Sequence, residues 1–161
     1  AALALEPSLP SAHNGLGLLM IDAGRHAEAA AAFEAATKAD PTNAEYLVNL
    51  GNAHRAGGNL RAAGDSFRRA AEIDPRNADA VNGLGVLLVQ EKRAADAIPL
   101  FERAFAMAPG LIEARLNLGI ALQESGQRDR AAAAYRDVLA QAKPGSPERR
   151  AASDLLRSLG R

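Results

Sequence analysis

The side chains able to do chemistry in this sequence are few and stand apart. The histidines are His13, His26 and His54. No two are four residues apart, and no histidine–carboxylate pair has metal-ligand spacing, so no metal site is expected. All three read as structural or solvated residues. Cysteine is absent. That removes thiolate nucleophiles, cysteine zinc sites and disulfides, and it leaves the compartment open. Gly15-Leu16-Gly17 and Gly83-Leu84-Gly85 look briefly like phosphate-cradling loops. Such loops follow a strand, whereas these lie in helical sequence. The serines lack a histidine–acid partner, and the carboxylates alternate with arginines as on solvated helix faces. No nucleophile, general base or oxyanion device is left. The expectation is a chain with no catalytic residues, no metal and no cofactor, and not an enzyme.

Composition narrows the partners. Nineteen basic side chains balance nineteen acidic ones in 161 residues. Nucleic-acid binders usually carry a basic excess that displaces counterions from phosphates, so no nucleic-acid partner is expected. No apolar run is long enough to cross a membrane, and no signal peptide is visible. Lysine occurs only at Lys38, Lys92 and Lys143 against many arginines, and alanine is abundant. That bias resembles a high-GC bacterial gene. Alanine also has the best helix propensity, so the chain leans towards helix.

What must position any functional residue is a repeat. Leu-Gly pairs stand at 16–17, 50–51, 84–85 and 118–119, a constant step of 34 residues. The same step links Ala29, Ala63, Ala97 and Ala131, and the aromatics Phe33, Phe67, Phe101 and Tyr135. Small residues follow at Ala36, Ala70, Ala104 and Val138, and Pro41, Pro75 and Pro109 close the units. Lys143 holds the fourth proline slot, with Pro144 one residue late. Each unit reads as helix, turn, helix and proline stop; in the second unit the helices span about 44–57 and 61–73. Gly24, Gly58 and Gly126 mark the turns, where a left-handed residue suits glycine. Lys92 takes that place in the third unit, which predicts a strained or differently shaped turn. A glycine inside a helix costs about 1 kcal/mol relative to alanine, so its return in every unit needs a reason. The expected reason is close packing against an alanine of the second helix, with the aromatic filling space between units. Pro99 is expected near a helix start, where a missing donor is tolerated.

This pattern resembles the tetratricopeptide repeat over residues 10–143. The family's usual tryptophan is replaced by His13, Leu47, Val81 and Arg115, and Arg115 predicts a looser fourth unit. The resemblance implies an all-α, right-handed superhelical solenoid of stacked antiparallel hairpins with the first helices lining a concave side. The expected units are 10–43, 44–77, 78–111 and 112–145. Residues 146–161 form a capping helix with an apolar stripe at Ala151, Ala152, Leu155, Leu156 and Leu159. Residues 1–9 match the tail of a second helix, so the chain is expected to begin inside an earlier repeat of a larger protein.

The resemblance also implies where a ligand sits. Carried onto this chain, the family's groove positions hold Asn14, Asn49, Asn82 and Asn117, one asparagine in every unit. They further hold Asn52, Arg55, Val86 and Ile120, and the acids Glu45, Asp79 and Glu113. An asparagine offers both a donor and an acceptor. It can clasp an extended peptide backbone, similar to the asparagine ladder in the repeat arm of protein O-linked N-acetylglucosamine transferases, or it can bond a neighbouring helix. Only Asn49 and Asn117 fall at that ladder's register. The acids, with Arg55 the main base, disfavour the acidic C-terminal tails that chaperone-tail adaptors of the family hold. A neutral or basic segment fits better. The groove's apolar positions are Leu18, Ile21, Val48, Val86, Val89, Leu116 and Ile120, and most are expected in the core. The expected function is a protein–protein interaction scaffold binding an extended peptide or partner helix. The alternatives are the non-catalytic arm of a larger bacterial enzyme, such as a glycosyltransferase or hydrolase, or a scaffold that self-associates through its N-terminal end. Units one and three share Asn-Gly-Leu-Gly, a likeness with no functional reading from sequence.

Overall fold

Asparagine caps and aspartate–proline stops cut this sequence into short helices, and a computed structural model describes them over residues 9–160. They are α1 (Pro10–Asp22), α2 (His26–Ala39), α3 (Ala44–Ala56), α4 (Leu60–Ile73), α5 (Ala78–Gln90), α6 (Ala94–Met107), α7 (Ile112–Glu124), α8 (Arg128–Gln141) and α9 (Pro147–Leu159). No strand occurs among the described residues. The expected helix tail at 1–9 falls, but for Leu9, outside them. The Asn43 side chain accepts from the Glu45 amide at 3.0 Å and starts α3. Asn59 and Asn77 accept from the Ala62 and Ala80 amides and start α4 and α5. These caps satisfy amides that have no partner inside the helix. At the other ends Asp40 and Asp74 leave helical geometry ahead of their prolines, as the X-Pro clash requires.

The chain forms two compact units, divided between Gly83 and Leu84. In the first, α1 packs on α2, α2 on α3 and α3 on α4. In the second, α6 packs on α7, α7 on α8, and α9 on α8. Each unit is thus a succession of antiparallel hairpins in chain order. Phe33, Phe67, Phe101, Tyr135, Leu47, Val81 and Val138 are the largest fully buried side chains.

The glycines of the four Leu-Gly pairs face aromatic rings, which differs from the alanine contact the sequence led us to expect. A β-carbon on Gly17 would lie 2.5 Å from the Phe33 ring, one on Gly51 2.7 Å from Phe67, and one on Gly85 2.6 Å from Phe101. Gly119 stands in the same relation to Tyr135. Phe67 is held from two sides, because a β-carbon on Gly83 would lie 2.6 Å from it as well. The glycine therefore makes room for a ring lying flat on the helix backbone, and burial of that ring offsets the lost helix propensity.

The turn at Lys92 keeps the shape of the glycine turns. Lys92 has φ 64°, beside 70°, 81° and 82° at Gly24, Gly58 and Gly126. Its amide donates to the Val89 carbonyl at 3.0 Å and the Arg93 amide to Leu88 at 2.8 Å, as Gly58 and Asn59 donate to Arg55 and His54. The left-handed conformation costs an L-residue roughly 1–2 kcal/mol. Lys92→Gly is therefore expected to raise stability by about 1 kcal/mol, less than the full relief because glycine gains freedom in the unfolded chain. Urea denaturation of wild type and variant measures this, and an unchanged midpoint would contradict it.

Two other expectations are corrected. Pro99 lies in the second turn of α6, not at its start. It removes the amide that would bond the Ala95 carbonyl; both residues are exposed, so water can reach that carbonyl. Arg115 does not loosen the fourth hairpin. Its guanidinium lies 4.8 Å from the centroid of Phe105 and its Nε donates to Asp137 Oδ2 at 3.1 Å. The place of a large aromatic is taken by a cation stacked on a ring and neutralised by a carboxylate. In α9, Ala152 is buried, and Ala151, Leu155, Leu156 and Leu159 pack against the second unit's core. Arg149 donates to the Ala142 carbonyl at 3.1 Å and to the Leu139 carbonyl at the end of α8. There it also meets the negative end of the helix dipole.

Candidate peptide-binding face

In the first unit α1 and α3 are joined by side chains of the expected groove. Asn49 Nδ2 donates to Asn14 Oδ1 at 2.9 Å. Both residues are half-buried. An asparagine has two amide protons and an oxygen with two lone pairs, so this bond leaves the Asn14 amide protons and the Asn49 oxygen with further capacity. Of the other expected groove residues of this unit, Glu45, Asn52 and Asp79 are exposed and Arg55 is half-buried. Leu18 is 47% exposed, and Ile21 packs partly against the cluster of Ala29, Ala30, Phe33, Leu50 and Ala53. Val48 belongs to the core. The first unit therefore presents one asparagine pair, one arginine, acids and an exposed leucine on its first helices.

The second unit differs. Leu116 is buried, and Val86, Val89 and Ile120 are partly covered by the core formed with Phe101, Leu118 and Leu122. Glu113 is exposed and Asn117 half-buried. Gln123, on the same helix, accepts from the Tyr135 hydroxyl at 2.9 Å. Burial, and then the charge of Glu124, pushes the Tyr135 phenol up to about 12, so it remains a donor throughout the physiological range. The other three hairpins carry phenylalanine in this column and need no such partner. Asn82 is buried at 6% exposure. Asn82 and Asn117 each have an interaction in the folded chain.

A feature the sequence reading missed lies between α2 and the end of α3 in the first unit. A cleft of about 280 Å³ is lined by His26, Ala30, Glu34, Ala53, His54 and Asn59. His54 Nε2 stands 3.7 Å from Glu34 Oε1, and His26 Nδ1 is buried without a hydrogen-bond partner. Residues 26, 34 and 54 share no short spacing, so nothing along the chain draws them together. No group of three or more metal-ligating side chains with ligand geometry occurs among the described residues, and none of their helices is long and apolar enough to cross a membrane.

A tetratricopeptide repeat model matches residues 1–44, 14–78 and 48–112, and a second one matches residues 88–156. The chain belongs to the tetratricopeptide repeat family. Its tetratricopeptide units are similar in fold to several solved structures. The crystal structure of MamA is 27% identical, with a TM-score of 0.73 over 87% of this chain and 82% of that one. TTC0263, a thermophilic tetratricopeptide protein of Thermus thermophilus, is 24% identical with a TM-score of 0.82 over 96% and 86%. YrrB, described as a tetratricopeptide protein with an unusual peptide-binding site, is 21% identical with a TM-score of 0.68 over 98% and 84%. No curated protein matches the chain. The tetratricopeptide fold is a protein–protein interaction scaffold and typically a non-catalytic module.

Proposed function

We propose that the first-helix face of the first unit binds an extended peptide by its backbone, with Asn14 and Asn49 as the clasp. The observation that carries this reading is the 2.9 Å bond between the two amides. It orients both side chains and turns two flexible groups into one fixed donor–acceptor pair, which lowers the ordering cost on binding. A peptide unit presents one acceptor and one donor, which the pair complements without reading side chains. The exposed Leu18 supports an apolar side chain beside the clasp, and Glu45, Asp22 and Asp79 favour a neutral or basic peptide over an acidic tail. In the second unit Asn117, Glu113 and Ile120 offer a smaller version of the same chemistry.

The test is binding of a random peptide library to wild type, to Asn49→Ala and to Asn49→Ala with Asn117→Ala. A backbone hydrogen bond contributes about 1 kcal/mol net, so Asn49→Ala should weaken all binders about five- to tenfold, with selectivity unchanged. The double variant should weaken them further. Circular dichroism serves as the folding control. Unchanged affinity in a folded double variant would reject the clasp.

A further inference from the structure

The second unit shows how the place of the His26 cleft closes when its residues differ. His26 and His54 share their repeat columns with Ala94 and Leu122, which are 6% and 2% exposed. Glu34 shares its column with Glu102, and Arg130 donates to Glu102 Oε1 at 2.8 Å. Ala62 stands in the column of Arg130. The first unit thus keeps the carboxylate and lacks its cation. Among the described residues the ion-pair contact of Glu34 is His54 alone, at 3.7 Å, and the Glu34 side chain is 60% exposed. No lysine or arginine lines the cleft, and its apolar wall is Ala27, Ala30, Ala31 and Ala53. Nδ1 of His26, at the start of α2, is buried without a hydrogen-bond partner. A buried polar atom in that state costs stability until something meets it.

We infer that this cleft binds an arginine of a partner protein, with its guanidinium on Glu34, its aliphatic stem on the alanines and its own peptide unit at His26 Nδ1. Arg130 on Glu102 is the template for the head. A guanidinium meets a carboxylate with two parallel donors, and its stem covers apolar surface. His26 and Glu34 are eight residues apart on α2, about 12 Å along the helix. A single ion is too short to touch both ends, whereas an extended arginine residue has a polar group at each. A peptide unit carries both a donor and an acceptor, so it satisfies Nδ1 in either imidazole tautomer. A protonated polyamine brings donors only. The site stands apart from the asparagine clasp, since neither Asn14 nor Asn49 lines it.

The histidines supply the readout, because His26 and His54 line the cleft and His13 does not. Their ring C–H resonances in the full chain are followed by NMR as N-acetyl-arginine methylamide is added. Saturable shifts of His26 and His54 are expected, with His13 unmoved. N-acetyl-citrulline methylamide keeps the stem and the peptide unit without the charge, and should bind about fivefold more weakly. Butylguanidinium keeps the head and stem without the peptide unit, and should bind about threefold more weakly. Glu34→Gln should weaken the arginine compound about fivefold. Ala62→Arg returns the cation found in the second unit, and should compete for Glu34 and weaken that compound about threefold. Spectra that match wild type away from the cleft show that both variants are folded. Equal binding of the arginine and citrulline compounds would overturn the inference. So would unchanged affinity in Glu34→Gln, or the lack of a saturable shift at either cleft histidine. Butylguanidinium or spermidine binding as tightly as the arginine compound would also overturn it, in favour of a free small cation.

Discussion

Phe67→Ala is expected to lower the free energy of unfolding by about 3–5 kcal/mol, at the upper end for removal of a buried aromatic ring. The ring is fully buried and lies against two glycines, Gly51 and Gly83, from consecutive hairpins. Neither glycine has a side chain that can move into the space, and both sit on helical backbone that cannot collapse without loss of its hydrogen bonds. The cavity therefore stays open, and the cavity term adds to the lost transfer energy. Phe67→Leu should lose less than half as much, since it keeps most of the volume. Urea denaturation followed by circular dichroism gives both values. A loss below about 1 kcal/mol for Phe67→Ala would mean that the ring is not the link between these hairpins.

Gly17→Ala and Gly15→Ala should shift stability in opposite directions although the residues are two apart in one helix. Alanine gains about 1 kcal/mol over glycine in a helix interior. At Gly15 nothing among the described residues opposes that gain, so Gly15→Ala should stabilise by about that amount. At Gly17 the new β-carbon would sit 2.5–2.7 Å from three atoms of the Phe33 ring, and Phe33 is 1% exposed with no room to retreat. Overpacking of this kind costs about 3 kcal/mol, so Gly17→Ala should destabilise by about 2 kcal/mol net of the propensity gain. Thermal melts of the two variants decide the matter. Shifts of the same sign would show that helix propensity alone governs both sites.

The helix boundaries were legible in the sequence because the forces that set them act within four or five residues. Asn43, Asn59 and Ser146 cap the helices they precede, Asp40 and Asp74 stop the helices they follow, and the apolar stripe of 147–159 is that of α9. The 34-residue step showed that each hairpin would reuse one solution, and the family matches bear out the architecture read from it. Partners across the fold were not legible, since they meet only when helices distant in sequence pack. That the glycine of each Leu-Gly pair faces a ring sixteen residues on, rather than an alanine, depends on how the two helices cross. Arg115 read as a defect until folding placed Phe105 and Asp137 around it. Lys92 read as a break in the pattern, yet the bonds of Arg93 to Leu88 and of Lys92 to Val89 hold it in the glycine conformation. Sequence placed an asparagine in every unit but left open whether it would face a ligand or a neighbour. Tertiary structure joined Asn14 to Asn49, 35 residues away. Composition and periodicity thus specify which elements form and in what order, because those are local free energies; which side chain meets which is decided by packing, because that energy exists only between surfaces brought together by the fold.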